Sequence, residues 1–442
     1  MSEAIGTSKS SSIGRVALAS WIGTSIEWYD FFLYSTAASL VFSKLFFPTL
    51  NPFAGQLAAF ATFWVGFGAR PVGGIFFGHF GDRIGRKNML ILTILIMGLG
   101  TFLIGCLPGY STIGILAPIL LVVLRFAQGF AVGGEWGGAV LMTTEHSPTA
   151  RRGFFGSLPQ MGVPVGLLLS SLLFSLTATT FSSDQFLAIG WRIPFLVSIV
   201  MVLIGLFIRL RITETPHFEE VKERQAIVRI PLLQVLRKDF KNVLLAAGIF
   251  FVANGGFYVF ITFVVTYGTT ILKMPSTVFL NGTLVSAVVL FITLPLAGVL
   301  SDRYGRRTLC LIGSAFTALM AFPMFMLIDT KSAALITLAL CLAQFGTGLV
   351  YGPLAAFFTE LFGTNVRYSG ASLGYQAASV LAGGPAPFVA ALLLGVSHDG
   401  SWIIALYVAV MALITVVSSY LAPETKPVGA VDAAAVSGAV GD

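Results

Sequence analysis

Apolar residues run along this chain in long unbroken stretches, near 17 to 42, 56 to 80, 89 to 108, 113 to 143, 154 to 180 and 192 to 210, and again near 242 to 272, 278 to 300, 309 to 329, 333 to 361, 370 to 396 and 400 to 422. Each approaches or exceeds the roughly 20 residues that a helix needs to cross hydrocarbon. The alternation of apolar and polar positions that marks a membrane barrel strand does not occur, so the pattern predicts helices. A helix also pairs its backbone polar groups within itself, which the interior of a bilayer demands. The sixth and seventh stretches are separated by one long charged segment, 211 to 241, containing ITETPHFEEVKER and LRKDFKN. The prediction is an all-α integral membrane protein of twelve transmembrane helices in two six-helix units, 17–210 and 242–422, with an N-terminal tail over 1–16, the linker 211–241 and a C-terminal tail over 423–442.

Composition agrees: 56% of the 442 residues are apolar and 10% are charged, where a soluble domain carries roughly a quarter charged. The net charge of +7 would suit a nucleic-acid partner if it were concentrated in one patch, but it is spread over short connections. With the N-terminus placed in the cytoplasm, twenty of the 26 Lys and Arg residues fall on the cytoplasmic side and four (Lys44, Arg192, Lys273 and Lys331) on the outer side. That asymmetry predicts both termini inside, and no nucleic acid is expected as a partner. The remaining two, Arg70 and Arg125, lie within spans. Three cysteines stand singly, without the spacing of a disulfide framework or zinc site. No metal and no cofactor is expected, and Gly-rich strings such as GFGARPVGG and GTGLVYG lack the context of a phosphate loop.

The two halves repeat. GHFGDRIGRK at 78–87 and GVLSDRYGRR at 298–307 share G-x-x-x-D-R-x-G-R-[KR]. Glu145 with Arg152 seven residues on matches Glu360 with Arg367, Gln160 matches Gln376, and Glu214-Thr215 matches Glu424-Thr425. Four pairs in the same order indicate two units in parallel orientation.

Charged groups deep in a membrane are costly unless paired or wetted, so each is a functional candidate. Glu27 and Asp30 on the first span are three residues apart, and Tyr34 follows four later, which predicts one shared polar face. Counting about 1.5 Å per residue puts Glu27 about 15 Å deep and Arg70 at similar depth, so an ion pair between Arg70 and one of these acids is geometrically reasonable. Two neighbouring carboxylates cannot both ionise cheaply, which makes the pair a candidate proton site. Asp30 is preferred over Glu27, and Glu135 on the fourth span is a third member or a packing residue. Arg70 and Arg125 either meet a carboxylate cargo or form internal ion pairs. Gln160 and Gln376, with Asn254 and Tyr258 one turn apart on the seventh span, either face a central pocket or hydrogen-bond between helices.

The doubled loop, together with IEWYDFF at 26–32, RFAQGFAVGGEWGGA at 125–139, GWRIPF at 190–195 and ETPHFEEV at 214–221, resembles the major facilitator superfamily and, within it, the metabolite:proton symporter family of shikimate, 2-oxoglutarate, citrate and proline or betaine carriers. The resemblance implies a gate role for Asp82, Arg83, Arg86, Glu145 and Arg152, and for their counterparts Asp302, Arg303, Arg306, Glu360 and Arg367. A carboxylate at such a place can rest against a facing helix N-terminus while pairing with arginine. The resemblance also implies a monomer.

The reading is a secondary active transporter, not an enzyme: a proton symporter taking up a small carboxylated metabolite across the plasma membrane by alternating access. Within the same fold the alternatives are a betaine or proline symporter, a uniporter and an exporter. A metabolite sensor that moves nothing is the alternative of another class.

Overall fold

The computed structural model describes residues 13–84, 86–133, 147–211, 239–363, 366–398 and 400–426, with a few isolated positions between them. Most of the charged linker and both outer tails, with Glu135 and Glu145, lie outside the described residues. Twelve long helices are present among those described. They are α1 (Ile13–Leu40), α2 (Pro52–Ile84), α3 (Arg86–Cys106) and α4 (Leu116–Val132), then α5 (Thr149–Thr180), α6 (Ser183–Phe207), α7 (Phe240–Thr270) and α8 (Ser276–Tyr304). The set closes with α9 (Arg306–Asp329), α10 (Ala333–Leu361), α11 (Arg367–Val396) and α12 (Trp402–Leu421). Each of the twelve apolar stretches contributes one of these long helices among the described residues. No strand occurs among the described residues.

The pairing of helices repeats from half to half. α1 packs on α5, α2 on α4, and α3 on α4 and α6; in the second half α7 packs on α11, α8 on α10, and α9 on α10 and α12. Small residues set the distances, because in lipid close packing rather than water exclusion holds helices together. A Cβ on Gly129 would stand 1.9 Å from the Gly66 carbonyl oxygen, and one on Gly133 1.9 Å from that of Arg70, so α2 and α4 cross backbone to backbone. The halves meet through α5 against α8 and α10, α2 against α11, and α1 against α7.

Two helices of the second half carry a π-turn, Val259–Phe263 in α7 and Ser379–Gly383 in α11. A π-turn interrupts the regular ladder, freeing backbone acceptors and often marking functional positions. Neither was visible in the apolar pattern.

Candidate functional site

Two small adjoining cavities lie between the halves. Glu27 and Trp28 of α1, Arg70 of α2 and Gln160 of α5 wall the first from one side; Tyr351 of α10 and Tyr375 and Gln376 of α11 wall it from the other. The second shares Trp28, Tyr351 and Tyr375 and adds Asn254, Phe257 and Tyr258 of α7. Each has a volume of about 20 Å³, enough to hold a water.

Arg70 is 2% exposed. Its guanidinium carbon lies 4.5 Å from the ring centres of both Phe31 and Phe67, a desolvated cation–π setting, and its Nε has no hydrogen-bond partner among the described residues. Arg125 also contacts Phe31, 4.1 Å from that ring and 4.1 Å from Tyr34, so one phenyl ring touches two buried guanidinium groups.

Arg125 and Tyr34 line neither of these cavities. Tyr34 donates its hydroxyl to Thr62 Oγ1 at 2.7 Å, and Arg125 donates to Gln128 Oε1 at 3.3 Å, while its Nε and Nη2 have no hydrogen-bond partner among the described residues. The shared polar face of α1 also divides. Glu27 lines the cavity, while Asp30, 1% exposed, lies outside it, with Thr101 of α3 as its hydrogen-bonding neighbour. Three residues turn a helix by about 300°, and the cavity edge falls in the remaining 60°. Asp30 Oδ1 has no hydrogen-bond partner among the described residues. Gln128 Nε2 donates to Thr101 Oγ1 at 2.7 Å and Thr101 donates to the Met97 carbonyl at 3.0 Å, so Gln128 joins Arg125 to Thr101, the polar neighbour of Asp30.

Gln160 and Gln376 both line the first cavity and both reach across the interface. Gln160 Nε2 donates to the Gly352 carbonyl at 3.4 Å and Gln376 Nε2 to the Gly133 carbonyl at 3.2 Å. Asn254 donates to Ser379 Oγ at 3.1 Å, and Tyr258 is buried with no partner for its hydroxyl among the described residues.

Polar contacts gather at both ends of the interface between the halves. At the end that carries the doubled loops, Asp302 accepts from the Gly153 and Phe154 amides at 2.8 and 3.0 Å, and Arg306 pairs with it at 2.7 Å. Arg306 also reaches Glu360 at 3.4 Å, and Arg152 stands within electrostatic reach of Glu360. Glu424 caps α9 through the Arg306 and Arg307 amides at 2.8 and 3.1 Å, and Thr425 donates to Glu360 at 2.9 Å. Arg303 is exposed there and Arg367 opens α11; of Asp82, Arg83 and Arg86 only the backbone is described, at the α2–α3 junction. At the far end Ser35 and Thr262 bond hydroxyl to hydroxyl, Ser39 Oγ donates to the Thr262 carbonyl at 2.9 Å, and Trp64 Nε1 donates to the Val380 carbonyl at 3.1 Å. Both accepting carbonyls belong to the π-turns.

Sequence reasoning missed Phe31, Thr101 and Gln128, the far-end hydroxyls, and Tyr351 and Tyr375. Tyr375 adjoins Gln376, and Tyr351 lies inside the string GTGLVYG, which was read as helix packing alone.

Two six-helix units with cavities between them, joined at either end by hydrogen bonds from one unit to the other, define a membrane carrier. The family model of the major facilitator superfamily matches residues 20–387. The chain is 43% identical over 425 residues to the shikimate transporter of Escherichia coli (strain K12), covering 95% of this chain and 97% of that protein. It is 36% identical over 435 residues to the glycine betaine/proline/ectoine/pipecolic acid transporter OusA of Dickeya dadantii (strain 3937), covering 95% and 86%. A crystal structure of a D-xylose-proton symporter superposes with a TM-score of 0.74 at 20% identity, covering 94% of this chain and 99% of that one. The chain belongs to the major facilitator superfamily and, within it, to the metabolite:proton symporters. It is a multi-pass membrane transporter.

Proposed function

We propose that this protein is a proton symporter that brings a small carboxylated metabolite across the plasma membrane, with both termini and the doubled-loop end in the cytoplasm. The observation that carries this reading is Arg70, a buried guanidinium in the wall of the cavity between the halves. A cation held between aromatic rings in a desolvated site favours an anionic group, and arginine's planar fork suits a carboxylate. The likeness to the shikimate transporter supports a carboxylated cargo. The likeness to OusA keeps a zwitterion as the second reading, which the aromatic walls of the second cavity would also suit.

Asp30 is the proposed proton site, outside the cavity and beside Thr101, which Gln128 joins to Arg125. Protonation cancels its charge and weakens its hold on that chain of polar groups. The change reaches the cavity through Phe31, which touches both guanidinium groups. Proton and cargo then each favour the closed arrangement by their differential affinity for it, which is what coupling requires.

Proteoliposomes holding the purified protein test this reading. An imposed inward proton gradient should accumulate a carboxylate from a panel of shikimate, 2-oxoglutarate, citrate and benzoate, and a protonophore should abolish accumulation. Gradient-driven accumulation of betaine alone would establish the zwitterion reading, and accumulation of none would reject symport.

A further inference from the structure

The two glutamines at the cavity share a geometry that neither needs for holding the halves together. Each uses its amide nitrogen on a backbone carbonyl of the opposite half: Gln160 of α5 reaches Gly352 of α10, and Gln376 of α11 reaches Gly133 beside α4. The two contacts are images of one another under the exchange of halves. An amide nitrogen is the only end of a glutamine that can face a carbonyl oxygen, so these contacts also fix which way the carboxamides turn. The end left over in each case is an oxygen. Gln160 Oε1 and Gln376 Oε1 are both buried, and neither has a hydrogen-bond partner among the described residues. The two side chains are 1% and 6% exposed and both belong to the wall of the Arg70 cavity.

Buried acceptors without donors are rare because each loses its water and gains nothing in return. A pair of them, in matched places on opposite walls of one cavity, marks where a guest must supply the protons. We infer that Gln160 and Gln376 read hydrogen-bond donors on the cargo, so that the carried molecule is a carboxylate bearing at least two hydroxyl groups. The inference rests on the carboxylate reading and narrows it: Arg70 takes the charged end, and the two carboxamide oxygens accept from hydroxyls. A quaternary ammonium group has no proton to offer and would leave both acceptors stranded, as would the carbon frame of a plain keto acid. Because each glutamine is anchored to the other half, a hydroxyl bonded to it is held by a side chain from one half whose position is set by the other. The cargo is thus recognised in full only when the halves are together.

Matched acids test this on the purified full-length protein by equilibrium competition binding, with shikimate set against cyclohexene carboxylate, which keeps the ring and the carboxylate and lacks the hydroxyls. Quinate and gluconate set against cyclohexane carboxylate and hexanoate extend the comparison, and glycine betaine is included. The hydroxylated acids should bind at least about ten-fold more tightly than their counterparts, since a site built to hydrogen-bond a hydroxyl rejects the analogue lacking it. Gln160→Met and Gln376→Met should each shrink that ratio, and a ratio unchanged in both variants overturns the role of the glutamines. Equal binding of the hydroxylated and plain acids by the unaltered protein overturns the donor requirement and leaves the carboxylate reading standing. Failure of every acid to bind, whether or not betaine does, overturns both.

Discussion

Asp30 has Thr101 as its polar neighbour, and one of its carboxyl oxygens meets no donor among the described residues. An aspartate so placed can exchange its proton without taking part in cargo contact, since it lines neither cavity. Asp30→Asn keeps the shape and removes the exchangeable proton. The variant should lose accumulation driven by a proton gradient while retaining exchange of labelled for unlabelled cargo, as measured by counterflow in proteoliposomes. Proton-driven accumulation at the unaltered level would move the role to Glu27, the acid that does line the cavity. The four charged candidates Glu27, Asp30, Arg70 and Arg125 were readable from the chain, because an ionisable residue inside an apolar run is conspicuous whatever surrounds it. Their division into cavity wall and interior was not. That depends on where the cavity edge crosses α1 and α2, and helical spacing gives the angle between two residues without giving the direction of the void. Tyr351 and Tyr375 were illegible for a different reason: along an apolar helix an aromatic residue facing a cavity looks the same as one facing lipid.

At the scale of elements, the closure at the doubled-loop end is a helix-terminus contact between halves. The first turn of the α5 helix offers free amides and the positive end of its dipole, and Asp302 at the end of α8 fills that place with both oxygens while Arg306 balances its charge. Gly153 and Gly298 permit this, since a Cβ on Gly153 would stand 2.5 Å from the Gly298 carbonyl oxygen. Asp302→Asn retains one acceptor and discards the charge, at a cost of about 1–2 kcal/mol for a partly buried carboxylate at a helix N-terminus. The balance should shift roughly five- to thirty-fold toward opening at that end. Faster labelling by a thiol reagent of a cysteine introduced at Ser157, which lies beside Gly298, should report it; an unchanged labelling rate would show that the cap does not hold the gate. The motif that builds this seal was legible because it occurs twice. The far-end seal was not, because it uses ordinary serine, threonine and tryptophan donors on carbonyls freed by π-turns, and π-turns leave no mark in an apolar pattern.

For the whole molecule, cavities between two halves that are joined by direct contacts at either end imply that access comes from one half rotating against the other. Breaking the first set while the second persists opens one end, and the reverse opens the other. Ser35 and Thr262 touch through their hydroxyls across the far end, so Ser35→Cys with Thr262→Cys, made after Cys106, Cys310 and Cys341 are replaced, gives a pair that a short bifunctional thiol reagent can span. Cross-linking that pair should stop uptake in proteoliposomes oriented with the far end outward, while cargo offered from the doubled-loop end still binds. A cleavable linker should restore uptake when cut. Transport that continues through the cross-link would mean that the far end need not part, and the cargo would then have to travel a route that does not separate α1 from α7.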